Sequence, residues 1–156
     1  MSMELHILSD RRLVTSTEWQ RAIATEKYPL RLQAGIDLLK LRGFLPAWLD
    51  EKNTGFECFE DDASSVMTFL GPEKFDRHWR FALGLRWLGS KLDELQAAWM
   101  AAVAYASATE GIIFGHEEGK AFTPELARDV VRNIDSDAVK LDALLKKIEE
   151  QFSRRK

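Results

Sequence analysis

Hydrophobic and polar residues alternate most regularly at residues 78–87. A period of two sustained over this length predicts a strand that buries one face. The residues on its apolar face are Trp79, Phe81, Leu83, Leu85 and Trp87. Shorter alternating or apolar runs predict further strands, with the last two as a hairpin or an irregular return. These runs lie at residues 4–8, 30–34, 55–59, 112–114 and 120–122.

Helical periodicity predicts two helices that would cross this sheet. In the first, Thr15 and Glu18 have the spacing of a capping box, in which the hydroxyl accepts a hydrogen bond from a free amide of the first turn. Its apolar face consists of Trp19, Ala22 and Ile23. The second helix is the Ala-rich segment at residues 92–108, with Ser90 as its expected cap and Gly111 as the residue that ends it.

Two more helices are predicted at the C-terminal end. A Thr-Pro-Glu sequence at residues 123–125 is a typical helix start, and we expect this helix to run to an interruption at residues 135–137. The last helix, at about residues 137–152, has apolar residues spaced three and four apart: Ala138, Leu141, Leu145, Ile148 and Phe152. So short a seam favours docking on the same domain over pairing with a second copy.

Residues 35–50 contain many apolar side chains but show no single period. Their mixed pattern predicts a bent segment with a short helical turn at residues 46–50. The Lys-Asn-Thr-Gly sequence at residues 52–55 is typical of a turn.

The order of these elements predicts an α+β fold of the ferredoxin-like class. This is a split βαβ antiparallel sheet with two packed helices and a C-terminal helical extension. We expect one domain over residues 1–156, with its core at about 3–122 and the C-terminal helices at about 123–152. The apolar row at residues 79–87 should meet Trp19 and Trp99 on the crossing helices. The opposite face should carry polar residues: His6, Arg31, Gln33, Glu57, Arg80 and Arg86.

Such a polar face with charges of both signs favours solvent or a polar partner over a second core. The pattern leaves open whether this face is exposed or covered by the C-terminal helices.

Composition narrows the function classes. The 156 residues are 46% hydrophobic and 30% charged, as in globular proteins, and the formal net charge of −3 argues against general nucleic-acid binding. A single cysteine, Cys58, can form neither an internal disulfide nor a Cys-based zinc site, and its apolar surroundings indicate a buried, inert thiol. The sequence has neither a signal-peptide pattern nor an apolar stretch of membrane-spanning length, so we expect no membrane partner.

Arg80 and Arg86 are candidates for binding a small anion or a carboxylate. They share one face of the predicted strand with the small residues Ala82 and Gly84 between them, which predicts a shallow groove between two guanidinium groups. The alternative, which we favour, is cross-strand pairing of either arginine with Glu57.

An acidic segment at residues 50–62 holds six acidic residues and one basic residue, and it ends in Glu60, Asp61 and Asp62. Such a segment can steer a basic protein partner, bind a hard cation through oxygen ligands, or form a solvated loop, which is the ordinary outcome. Its spacing does not match a calcium loop. Trp48 lies beside this segment, and we expect it to be the aromatic residue that anchors any partner.

The three histidines, His6, His78 and His116, lack the spacing of a metal-ligand motif. His116 precedes two glutamates in a glycine-flanked turn, where a base would be too wet and mobile for proton transfer. The sequence also lacks motifs for a nucleophilic serine, a phosphate loop or a dinucleotide. We therefore expect no catalytic residue, no metal and no cofactor.

Residues 105–125 read Tyr-Ala-Ser-Ala-Thr-Glu-Gly-Ile-Ile-Phe-Gly-His-Glu-Glu-Gly-Lys-Ala-Phe-Thr-Pro-Glu, a helix followed by a strand, an acidic turn and a helix start. This stretch resembles the tail of small uncharacterised bacterial α+β proteins, some of which are immunity partners of secreted toxins. The resemblance implies a bacterial, cytoplasmic protein with a protein-binding role, and no catalytic residue transfers with it.

These observations favour a non-enzymatic, immunity-like binding protein with a basic protein partner. The alternative is a domain that binds a small anion or carboxylate, or an enzyme, that uses the polar sheet face. RNA binding is disfavoured because the aromatic residues of the long strand lie on its buried side. The sequence is compatible with a monomer or a homodimer.

Overall fold

The computed structural model describes residues 2–154, except for the side chains of residues 138, 139, 141, 142 and 152–154. None of the helices in this part of the chain is both long and apolar enough to cross a bilayer. In chain order the elements are β1 (Ser2–Ser9), α1 (Ser16–Thr25), β2 (Leu30–Leu32), β3 (Arg42–Leu49), β4 (Lys52–Asp61), α2 (Ala63–Leu70), a 3₁₀ turn (Pro72–Lys74), β5 (Phe81–Leu88), α3 (Leu92–Thr109), β6 (Ile112–Gly115), β7 (Lys120–Phe122) and α4 (Pro124–Arg154).

The strands form one antiparallel sheet of seven, in the order β2-β3-β4-β5-β1-β6-β7. The predicted α+β class and the antiparallel sheet are confirmed. The sheet has more strands than a split βαβ unit usually has, because β2 and β3 extend one edge and β7 extends the other.

The apolar segment without a clear period is mostly β3, so the helical turn predicted at residues 46–50 is wrong. Both faces of this strand carry apolar side chains, which hides the alternation of a strand. Asp50 and Glu51, with φ values of 49° and 70°, form the tight turn into β4. Three buried residues, Leu45, Ala47 and Leu49, alternate with Phe44, Pro46 and Trp48.

The main core lies between the sheet and the pair α1 and α3. Trp19 of α1 is fully buried there, and its ring centroid is 5.8 Å from that of Phe56 and 5.3 Å from that of Tyr105. Its indole Nε1 donates a hydrogen bond of 2.8 Å to the carbonyl oxygen of Ala101. As predicted, Trp19 and Trp99 share one core with three residues of the apolar row, Leu83, Leu85 and Trp87 of β5.

Two members of the predicted apolar row lie outside this core: Phe81 is only half-buried, and the predicted place of Trp79 is wrong. The strand begins only at Phe81, so the period of two does not extend back to Trp79. Trp79 packs instead in a second, smaller apolar cluster with α2.

The caps of the two crossing helices differ from each other. Thr15 caps α1 as predicted, because its hydroxyl accepts a hydrogen bond from the amide of Glu18. The predicted cap of α3 at Ser90 is wrong, since the N-cap residue is Lys91 and makes no side-chain cap bond. Glu94 folds back instead and accepts a hydrogen bond of 3.0 Å from the amide of Leu88.

α4 is one continuous helix, so the interruption predicted at residues 135–137 is wrong. Polar residues in a helix interior cost only a few tenths of a kcal/mol each when they lie on the surface, too little to break a packed helix. Asp135 also accepts a hydrogen bond of 3.2 Å from Gln96 of α3. The apolar residues Ala127 and Val131 are buried in the main core.

The far half of α4 extends beyond this packing. Leu145 and Ile148 are 49% and 40% exposed, so the predicted docking on the same domain is wrong for these two residues. Arg128 contacts Ser107 and Asp135 contacts Gln96, so α3 and α4 are antiparallel. Because α3 begins only at Leu92, just before Gln96, it has no further residues to pack beside the far half of α4. The remaining seam residues Ala138, Leu141 and Phe152 lie outside the described side chains.

Arg128 fastens the start of α4 to the end of α1. Its Nε and Nη2 donate hydrogen bonds of 2.9 and 2.8 Å to the two carboxylate oxygens of Glu26. These hydrogen bonds, followed by the positive charge of Arg128, lower the pKa of Glu26 below its ordinary value of 4.5.

Replacing Glu26 by glutamine should make unfolding about 1 kcal/mol easier at pH 7, because it removes a charge-assisted pair that is partly exposed. A lowered carboxyl pKa stabilises the fold above the unfolded value near 4.5, and this contribution is lost as the pH falls through the folded value. The difference between wild type and Glu26→Gln should therefore shrink in acid. Urea unfolding at pH 7 and pH 3 measures it, with Glu110→Gln on the exposed Arg11–Glu110 pair as a control that should change little. A difference that stays constant with pH would contradict this.

Candidate functional site on the polar face of the sheet

The face of the sheet opposite α1 and α3 is only partly covered. α4 packs with α3 on the core side, so the described part of this C-terminal helix leaves the second face free. At one end the face is covered by α2, which Asp62 caps through a 3.0 Å hydrogen bond from the amide of Ser65. The apolar cluster under α2 was not expected and consists of Leu8, Ala63, Val66, Met67, Trp79 and Ala82.

A row of charges crosses the middle of this face. Arg86 lies opposite Glu4 on one neighbouring strand and opposite Glu57 on the other. Its guanidinium nitrogens are 3.6 Å from a Glu4 oxygen and 3.8 Å from a Glu57 oxygen. The guanidinium also lies over the ring of Phe59, 4.9 Å from the centroid. The cross-strand pairing that we favoured for Arg86 is therefore present.

The groove expected between Arg80 and Arg86 is filled. A Cβ atom on Gly84 would lie 2.4 Å from the ring of Phe59, which shows that this ring covers the glycine. Ala82 is buried under the α2 cluster. Arg80 precedes the strand, and its guanidinium lies 5.4 Å from the centroid of the Phe81 ring.

His6 is the centre of a buried polar cluster on this face. Its Nε2 is 2.7 Å from Oδ2 of Asp61, and its Nδ1 is 2.8 Å from Nε2 of His116. The side chain of His6 is almost fully buried, and the ring of Phe59 lies edge-on against it at 6.2 Å. Both ring nitrogens of a buried histidine are thus paired, as burial of a polar group requires.

His116 reaches this cluster from the turn between β6 and β7. Its backbone amide donates a hydrogen bond of 3.3 Å to the carbonyl of Glu4, which extends the β1–β6 pairing by one residue. Burial first, and then the neighbouring His6, lowers the pKa of His116 below its ordinary value of 6.5. The expectation that this histidine is fully solvent-exposed is therefore wrong, since its side chain is half-buried against His6.

Glu4, His6 and His116 form a group whose ligand atoms lie within 4.8 Å of one another. This group has no motif in the sequence, because the two histidines are 110 residues apart in the chain. The only local signal was the position of His6 and Glu4 on the polar side of the first strand.

The acidic segment does not form one free surface. Glu60 pairs with Arg12 at 2.7 Å, Asp61 contacts His6, and Asp62 caps α2. Asp50 and Glu51 lie in the turn at the other end of the ten-residue strand β4. The charges that would steer a basic partner are thus divided between the two ends of the hairpin.

Trp48 lies on the open part of the polar face, half-buried. The guanidinium of Arg31 covers one side of its ring, 4.3 Å from a ring centroid. Cys58 lies in the main core on the opposite face, as predicted, and burial raises the pKa of its thiol to about 12.

No protein-family model, no curated protein and no solved structure matches this chain.

Proposed function

We propose that this chain is a non-enzymatic protein-binding module of the immunity type, and that it binds its partner through the open part of the polar sheet face. The observation that carries the proposal is an apolar patch there, which we call the β3 patch. It consists of Phe44, Pro46, Trp48 and Leu88. Phe44 is 54% exposed and Leu88 46% exposed, and protein interfaces are enriched in such aromatic and aliphatic anchors.

The β3 patch is rigidly supported, which favours binding. Phe44 lies over Gly55, where an added Cβ would be 2.4 Å from the ring, so the backbone of β4 forms the floor beneath it. Arg31 stacks on Trp48 from the edge strand. Side chains that are already ordered lose less conformational entropy on binding.

Charged residues surround the β3 patch, as polar residues surround the apolar centre of a typical protein interface. Glu57 and Arg86 border it on one side, and the Asp50–Glu51 turn borders it on another. The whole chain has a net charge of −3, which favours a basic over an acidic partner through long-range steering.

Two finer proposals rest on the chain as a whole. We infer a ferredoxin-like unit at the centre of the sheet, because β4, β5, β1 and β6 are adjacent in that order and α1 and α3 lie on one face. The resemblance at residues 105–125 supports a bacterial, cytoplasmic protein. A small anion is a less favoured ligand, since two carboxylates already neutralise Arg86.

The test compares two exposed phenylalanines. A partner is first captured from the native host with the wild-type chain and purified, and its Kd is then measured by calorimetry. Phe44→Ala and Trp48→Ala should each weaken binding by at least about 30-fold, or about 2 kcal/mol, as hot-spot residues do. Phe69→Ala is the matched control: Phe69 is 84% exposed on α2 and should leave the Kd unchanged.

Equal losses for Phe44→Ala and Phe69→Ala would contradict the proposed surface, as would no loss for Phe44→Ala and Trp48→Ala. Sedimentation velocity of the chain alone tests whether a second copy of this chain covers the β3 patch instead. A dimer that Phe44→Ala dissociates would show that a second copy, and not a partner, covers it.

A further inference from the structure

We propose that Glu4, His6 and His116 bind one divalent transition-metal ion of the Zn²⁺ class on the polar face of the sheet. Two imidazole nitrogens and a carboxylate oxygen are a ligand set that such ions accept. Their ligand atoms lie within 4.8 Å of one another. This site is separate from the β3 patch, so its failure would leave the proposed protein-binding function standing.

The protonation pattern of His6 supports the site. Asp61 accepts a hydrogen bond from Nε2–H of His6 over 2.7 Å, and this bond holds the proton on Nε2 when the ring is neutral. The lone pair of Nδ1 then faces Nε2 of His116 over 2.8 Å. A carboxylate behind a ligating histidine is the usual outer partner at metal centres, where it fixes the tautomer and orients the ring.

The distances need only a small adjustment. Two nitrogens bound at about 2.05 Å in a tetrahedral arrangement lie about 3.3 Å apart, against 2.8 Å here. His116 can supply this opening because it is half-buried at the end of β6 and belongs to the turn that leads to β7. His6, buried and held by Asp61, is the fixed side of the site.

Glu4 completes the group from the strand that carries His6. It lies two residues before His6 on the same face of β1, and its carboxylate offers an oxygen within 4.8 Å of a ring nitrogen of each histidine. One of its oxygens faces Arg86 at 3.6 Å, beyond hydrogen-bond distance, so the carboxylate is oriented but not fully engaged. Three protein ligands leave a fourth position for water, as at open zinc sites.

Untagged, metal-free protein titrated with Zn²⁺ in a calorimeter tests the site, and visible absorption of bound Co²⁺ reports its geometry. We expect one ion per chain for the wild type, and at least about 100-fold weaker binding for His116→Ala. His78→Ala is the matched control, because His78 is exposed ahead of β5 and lies outside the group. This variant should bind Zn²⁺ with the affinity of the wild type.

Asp61→Asn should weaken Zn²⁺ binding by about 10- to 100-fold. It should also shift the absorption band of bound Co²⁺, which a purely structural role of Asp61 would leave in place. Circular dichroism checks the fold of each variant, and Glu4→Gln replaces His116→Ala if that variant unfolds. Absence of saturable binding by the wild type would overturn the proposal, and so would a loss in His78→Ala equal to that in the ligand variants.

Discussion

Replacing Trp19 by alanine should destabilise the fold by about 3–5 kcal/mol, the usual range for a large buried aromatic residue. The ring is fully buried between Phe56 and Tyr105, and its Nε1 donates to the carbonyl of Ala101 in α3. The substitution therefore leaves a cavity at the contact of α1, α3 and the sheet and also removes a buried hydrogen bond. Equilibrium unfolding in urea measures the loss.

Trp48→Ala is the matched control for this measurement. Trp48 is half-buried and covered on one side by Arg31, so its removal opens no internal cavity and should cost no more than about 1 kcal/mol. If both tryptophan variants lost the same free energy of unfolding, the assignment of Trp19 to the core and Trp48 to the surface would be wrong. A mild effect also qualifies Trp48→Ala as a folded variant for the binding test.

Gly111→Ala should cost about 3 kcal/mol, near the upper end of the range for overpacking. A Cβ atom there would lie 2.3 Å from the carbonyl oxygen of Leu8 and 2.9 Å from Cβ of Ser9. Leu8 belongs to the β1–β6 pairing, so relief requires the two strands to separate. Gly111 was predicted only to end a helix, whereas the structure gives it a second role in strand pairing.

Gly35→Ala separates this clash from the general effect of adding a methyl group. Gly35 has open space around it and a φ of 74°, so alanine there costs only the left-handed conformation, about 1 kcal/mol. In thermal and urea unfolding, the stability of Gly111→Ala should be well below that of Gly35→Ala. The reverse order would show that β6 moves away from β1 at little cost. Since β6 leads into His116, amide exchange along β6 should also rise in Gly111→Ala.

The sequence correctly predicted those elements that depend on residues close together in the chain. The strand at β5 follows from alternation, and the start of α1 follows from the capping box at Thr15, because each depends on residues a few positions apart. The failure at β3 has the same origin. When both faces of a strand are apolar, the sequence contains no contrast for the period to reveal, and only pairing with β2 and β4 identifies it.

The contacts at the candidate sites also differ in whether the sequence could predict them. Glu57 and Arg86 were predicted to pair, because both belong to regular strands whose faces can be assigned from the sequence. His6 and His116 were considered separately, and neither was assigned a role. Their contact depends on the order of strands in the sheet, which places the end of β6 beside β1 across 110 residues of chain.

By itself, the sequence determined the α+β class, the crossing helices, the burial of Cys58 and the aromatic core around Trp19, since periodicity and capping act over a few residues. Only the tertiary structure decided which face of the sheet stays open, where the β3 patch lies and that Asp61, His6 and His116 meet. These features depend on strand order and on where α3 and α4 pack, and such long-range choices are set by burial summed over the whole chain.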